Sequence, residues 1–399
     1  MKKTIFLLGF FAALPLILIS QTIENKDGVR AIHNGKSGAW GATPKVEIKL
    51  LRKIGDIDTA DENFAFARPG DIVEDRAGNI YIADAGQYRI QKFDREGKFV
   101  ASFGRKGQGP GEFSALRSLS IDSTGRLHAL DDSQRRIQIF RTDGAVMETI
   151  KLFRGEMDYL RCMETGLYLV HEQVPGPRPV EQKMLLKILD SKESVLAEFC
   201  AARDFGETVT NQVGNSTSRA IAPDGAILVS FIYQNRIEKY SPKGKLIWAA
   251  DRPLSYETKV LEKGKYEATA TMSRYTSPKM NVCSRGIAAD AAGRIWVVTH
   301  RRQIKPEEVI TTSQSGSAAG VTIKREGNTD LRTTDMYKLE VFDRDGILLG
   351  TLPITHFVDG IWIFGNRLYL LDRERGVTYY QYEISERSSQ ISRIPGLKE

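Results

Sequence analysis

The chain has 399 residues, with 57 Lys and Arg against 50 Asp and Glu, giving a formal charge of +7. An excess that small over this length is no nucleic-acid signature, and no nucleic-acid partner is expected. Three cysteines, Cys162, Cys200 and Cys283, are too few for a disulfide scaffold and fit no metal-binding spacing. They read as buried free thiols, although an oxidising compartment would permit a Cys162–Cys200 bridge.

Met1-Lys2-Lys3 followed by the apolar run Ile5–Ile19 and Ser20-Gln21 has the form of a secretory signal peptide over residues 1–20. It implies export to the periplasm or the extracellular space, with no stable membrane span after cleavage. Retention as an uncleaved anchor is the alternative. Without Lys2 and Lys3 the charge falls from +7 to +5. No Cys stands at the exit, so a lipid anchor is not expected. Residues 21–45 are rich in Gly and Asn and read as an N-terminal arm. Val46–Ile54 (VEIKLLRKI) is a lone strand followed by Gly55.

From there the chain repeats. Asp75, Gly78, Asp84, Arg89, Phe93 and Gly97 recur 47 residues later as Asp122, Gly125, Asp131, Arg136, Phe140 and Gly144. Short β-branched and aromatic segments separated by Gly turns, repeating at this period, predict propeller blades that bury their faces against one another. Each unit reads as four antiparallel strands, which is one blade. Blade one spans 66–104 and blade two 113–152. Blade three is worn, keeping Gly166-Leu-Tyr-Leu-Val and Leu185–Leu189. Gly225, Arg236, Tyr240 and Gly244 mark blade four, 147 residues after their counterparts in blade one. Blade five starts at Arg285 and ends near Gly346, and blade six contains Gly365–Asp372.

The stretch DIVEDRAGNIYIADAGQYRIQKFDREGKFVASFG resembles the NHL repeat. The predicted fold is all-β: a six-bladed β-propeller of four-stranded antiparallel blades over residues 46–394, with a tail at 395–399. Val46–Ile54 is placed as the outer strand of blade six, closing the ring and removing an exposed edge. The resemblance implies an interaction module. It also leaves a second possibility, since some relatives resemble peptide-amidating lyases and other six-bladed rings resemble lactonases, both with a metal on the axis.

Three departures from the repeat, at 171–183, 251–284 and 300–335, fall in loops that open on one face of the ring. Long insertions without secondary structure suit lids and binding loops, and 300–335, with its TTSQSGSAAG run, reads as a flap. Aligning the innermost strands places Arg117, Arg161, Arg219 and Arg285 at equivalent entries in four successive blades, with Asp359 at that place in blade six; Arg117, Arg219 and Arg285 each precede an Asp by five residues (Asp122, Asp224, Asp290). Clustered guanidiniums suit carboxylate, sulfate or phosphate. His171 and His300 end their second strands on the same face. They join the candidate ligand-binding set, but without the spacing of a metal site. Arg89, Arg136 and Arg236 belong to the repeat and read as structural. No catalytic residue, metal or cofactor is assigned. The expected partner of a monomeric ring is an anionic small molecule, peptide or glycan, or a protein.

Overall fold

The computed structural model describes residues 21–153, 157–163, 166–172, 184–268, 273–317 and 320–387. The expected signal segment 1–20, most of the 171–183 loop and the 395–399 tail lie outside the described residues.

Six antiparallel four-stranded sheets stand around a common axis, each running from an inner to an outer strand. Their innermost strands are Pro69–Glu74, Leu116–Ile121, Met157–Cys162, Thr217–Ile221, Ser284–Ala289 and Gly360–Phe364. Side chains alternate between the two faces of a strand, and both faces of a blade meet a neighbour. Second strands such as Ile80–Asp84 and Ile227–Phe231 are therefore buried at every position. Apolar clusters seal all six interfaces. One joins Ile72, Ile80 and Phe93 of blade one to Tyr369, Leu371 and Tyr379 of blade six, and the other five continue round the ring.

Closure is by Val46–Ile54, which pairs antiparallel with Thr378–Glu386 from Val46↔Glu386 to Ile54↔Tyr379. Val46 and Ile54 are completely buried at its ends. The last blade is thus built from both ends of the propeller sequence, and no inner ladder is left open.

The stretch read as an arm is itself folded. Thr22–Lys26 and Val29–His33 form a hairpin, and Val29–His33 lies parallel to Leu246–Asp251, extending blade four to six strands. Ile32 is buried there among Trp248, Phe342 and Leu348. Asn34 donates to Gly346 O (3.0 Å) and accepts from Leu348 N (2.8 Å), and Trp40 N donates to Leu349 O at 2.7 Å. The segment therefore runs from blade four across blade five before entering blade six.

The two long insertions also differ from the open loops expected. Within 251–284, Val260–Glu262 pairs with Lys279–Met280, and Lys265–Ala268 with Ser273–Thr276. Within 300–335, Ile310–Ser317 and Gly320–Gly327 form a hairpin. Polar, Gly-rich composition does not prevent a ladder when backbone groups can satisfy one another. Arg325 of this hairpin donates to Ala67 O of blade one (3.2 Å) and lies 3.9 Å from Glu374 of blade six. Among the described residues, no helix is long and apolar enough to cross a membrane.

A chain beginning at Asp56 lacks the closing strand and the N-terminal hairpin. It should melt well below the full chain and self-associate, as thermal unfolding and size-exclusion chromatography would show. An unchanged melting temperature would mean that closure contributes nothing.

Candidate functional site

The innermost strands present their first residues to the channel mouth, and several are bulged there. Pairing skips Arg117 between Leu116↔Asp131 and Ser118↔Leu130, Asp158 between Met157↔Glu172 and Tyr159↔His171, and Arg285 between Ser284↔Thr299 and Gly286↔Val298. A bulge frees one residue from the ladder and re-aims its side chain. In blade five, Gly286 has φ +154, and a Cβ there would lie 2.5 Å from Ile361. Glycine lets blade five approach blade six next to Arg285.

These strand ends enclose one cavity of about 560 Å³. Arg117, Arg161, Arg219, Arg285 and Asp359 all line it, together with Arg68 and Arg373, which the repeat alignment did not single out. Two of the expected equivalences do not hold. Counted from the closing pairs Ile121↔Leu127, Cys162↔Tyr168 and Ile221↔Ile227, Arg161 takes the place of Ser120 and Arg219 that of Leu119. Asp158, not Arg161, stands at the mouth of blade three. The turn of blade four explains the slip: Gly225 N bonds Ala222 O as Gly125 N bonds Asp122 O, so Asp224 is not the counterpart of Asp122.

The floor of the cavity is a single charge pair. Asp71 of blade one receives both ends of the Arg161 guanidinium at 2.6 Å. Its oxygens also accept from Ile72 N (3.0 Å), Ser118 Oγ (2.8 Å), Leu119 N (2.9 Å) and Trp362 Nε1 (3.0 Å). Arg161 donates further to Leu119 O at 2.6 Å. Paired in this way, Arg161 is committed to the scaffold.

The other five arginines form the walls. Arg373 leans from blade six to blade one, donating to Pro69 O at 3.1 Å, and Arg117 lies 3.5 Å from Asp132. Burial first, and then the guanidiniums of Arg117 and Arg373, pull the Arg68 pKa below its ordinary value. Opposite them, Arg219 stacks on the Tyr159 ring at 4.5 Å with its side chain 10% exposed, and its Nη1 is 3.9 Å from Asp158. Its Nε and Nη1, and Nε of Arg285, are buried without a hydrogen-bond partner. Six arginines and three aspartates (Asp71, Asp158, Asp359) line the cavity, a formal balance of 6 − 3 = +3.

A family model described as a 6-bladed beta-propeller matches residues 57–249. NHL repeat-containing protein 3 of Homo sapiens is 28% identical over 116 residues, which are 27% of this chain and 33% of that protein. The match thus spans about a third of the length of this relative. This chain is a six-bladed β-propeller whose blades are similar to NHL repeats. A probable peptidyl-alpha-hydroxyglycine alpha-amidating lyase of Caenorhabditis elegans is 27% identical to the propeller over 200 residues, 47% of this chain and 54% of the lyase. The crystal structure of a duf4221 family member from Bacteroides vulgatus superposes with a TM-score of 0.54 at 11% identity, covering 86% of this chain and 99% of that one.

An axial metal, which the resemblance to lyases and lactonases would imply, finds no donor set among the described residues. Among the described residues no group of three or more His, Cys, Asp or Glu is placed to hold an ion, and the axial carboxylate, Asp71, is saturated by Arg161. His171 does not line the cavity. Its Nδ1 is 2.7 Å from Asp158, so it orients a lining carboxylate from behind. His300 is also set back, edge-on to Tyr337 at 4.9 Å, with Nδ1 3.3 Å from Arg302 O. The thiols of Cys162, Cys200 and Cys283 are all free.

The repeat arginines serve the scaffold. Asp84 accepts from Arg68 N at 2.9 Å while Arg89 donates to Glu62 O and Ala65 O at 3.0 Å. Blade two repeats the device, with Ala115 N on Asp131 at 2.8 Å and Arg136 on Gln108 O and Glu112 O at 2.7 Å. Arg236 likewise donates to Ala201 O at 3.0 Å.

Asp71→Ala should cost about 3–5 kcal/mol of stability, because it leaves the Arg161 charge buried and uncompensated. Adding Arg161→Leu should recover part of the loss in a denaturant double-mutant cycle. A second prediction concerns acid. Burial, and then Arg285, push His300 from 6.5 down to about 3, and burial pushes His356 down to about 4. Both are neutral when folded and take up protons more readily when unfolded. The stability tied to that neutral state is whole above about pH 6.5 and is lost as pH falls toward the folded values, at up to about 1.4 kcal/mol per pH unit for each group. Denaturant titrations across this window should show the loss flattened in H300Q/H356Q.

Proposed function

We propose that this propeller is an exported binding module whose mouth holds a ligand through an anionic group. One observation carries the reading: five wall arginines face a cavity of about 560 Å³, and three guanidinium nitrogens of Arg219 and Arg285 are buried there with no hydrogen-bond partner. A buried donor without an acceptor costs free energy that a bound acceptor would recover. An oxyanion meets that need, since guanidinium forks bind carboxylate, sulfate and phosphate with charge-assisted hydrogen bonds about twice as strong as neutral ones. The volume lies in the range of small-molecule sites, roughly 300–1,000 Å³. Low-dielectric walls would also concentrate anions at the mouth.

Export rests on the basic start and apolar run of residues 1–19. An enzymatic role like that of the amidating lyase draws support from the 27% identity over 47% of the chain, but among the described residues no metal-holding group of His, Cys, Asp or Glu accompanies it.

The test is calorimetric titration with sulfate, phosphate and citrate at fixed ionic strength, on the wild type and on Arg285→Gln. Loss of one charge-assisted bond worth about 1.5–3 kcal/mol should weaken binding about tenfold or more. The melting temperature of R285Q without ligand should hold, because this Nε bonds nothing in the empty site. A wild-type protein that binds none of these anions beyond the effect of equivalent chloride would refute the reading.

A further inference from the structure

The cationic groups are not spread evenly round the mouth. Arg68 and Arg117 belong to blades one and two, and Arg373 reaches over from blade six to bond Pro69 O of blade one. Arg219 and Arg285 belong to blades four and five. In a ring of six, blade one faces blade four and blade two faces blade five, so the two groups form opposite walls. The sectors between them carry carboxylates, Asp158 on blade three and Asp359 on blade six, which also face each other. The remaining arginine, Arg161, is neutralised by Asp71 on the floor. The two cationic groups thus belong to opposite blades, with Asp158 within 3.9 Å of Arg219.

Resting on the anion-binding reading, we infer that the ligand is a small organic dianion whose two oxyanion groups sit on opposite walls, one on Arg68, Arg117 and Arg373 and the other on Arg219 and Arg285. A single anionic group can engage only one wall. Two groups on one molecule satisfy both, and the second contact forms at the high effective concentration set by a short spacer. Asp158 and Asp359 disfavour a further anionic group in the sectors between the walls and suit hydroxyl or ammonium substituents on the spacer. The wall of blades four and five is the better preorganised. Arg219 lies over the Tyr159 ring, its side chain nine-tenths buried, and two of its nitrogens still lack hydrogen-bond acceptors. On the other wall the mutual proximity of Arg68, Arg117 and Arg373 supplies charge density.

The experiment titrates malonate, glutarate and pimelate against acetate by calorimetry, on the wild type, on R117Q/R373Q and on R219Q/R285Q, with circular dichroism to establish folding. In the wild type one dicarboxylate should bind at least about 100-fold more tightly than acetate, as linked contacts do. Each wall variant should remove that advantage while still binding acetate at its intact wall. If R219Q/R285Q does not fold, R285Q alone takes its place. Acetate and all dicarboxylates binding with similar affinity would overturn the two-wall inference and leave the anion reading standing. So would a dicarboxylate advantage that survives loss of either wall. Failure of every anion to bind would remove both readings together.

Discussion

Everything at the centre of this ring depends on one carboxylate. Asp71 accepts hydrogen bonds from its own blade, from Ser118 and Leu119 of blade two, from Arg161 of blade three and from Trp362 of blade six. Six apolar interfaces hold neighbouring blades together, but none of them reaches across the axis. The Asp71–Arg161 pair does. A desolvated ion pair is tolerable only when the remaining lone pairs and protons are also satisfied, and here both oxygens of Asp71 are fully engaged. Registry among four blades follows, because any slip of one inner strand would strand a charge in a low-dielectric channel. The same pair lines the cavity.

The ring itself was legible from the residues. The 47-residue offset, the Gly turns and the orphan strand at Val46–Ile54 correspond to the blades and the closure seen in the fold. These features repeat because each blade must present the same two faces to its neighbours. The N-terminal hairpin was not legible. Thr22–His33 has a single deeply buried side chain, Ile32, and its ladder partner lies more than two hundred residues away, so no local period announces it. The 310–327 hairpin was hidden by composition, since Ser, Thr and Gly signal a loop until a ladder is found for their backbones.

At the mouth the alignment singled out four arginines that line one cavity, by partly wrong equivalences. Arg161 and Arg219 lie deeper than Arg117 and Arg285, as the turn register of blades three and four shows. A residue spacing of five to the next Asp could not detect this, because Asp224 stands one place from the turn Gly whereas Asp122 stands three. Arg68 and Arg373 were missed, although a signal for them existed. Arg68 replaces the Ala115 of blade two at the position whose N–H caps the conserved carboxylate, and Arg373 follows Asp372 where Ala85 follows Asp84. Departures from a repeat at positions with a fixed backbone role mark function more sharply than the repeat does.

That distinction explains how a positive mouth can coexist with a stable ring. Arg117, Asp158 and Arg285 sit on bulges, outside the ladder pairing, so their chemistry can vary without altering a strand contact. Arg219 is a ladder residue opposite Val229 and must pack, which it does by stacking on Tyr159. Like-charge repulsion among the wall arginines is borne by a scaffold whose stability comes from the six interfaces and the Asp71–Arg161 pair and not from the walls. Because that scaffold holds the guanidiniums in place before any ligand arrives, the proposed anion would lose little binding energy to ordering them. A flexible loop bearing the same five arginines would relax its repulsion by spreading them into solvent, and the unsatisfied donors that define this site would disappear.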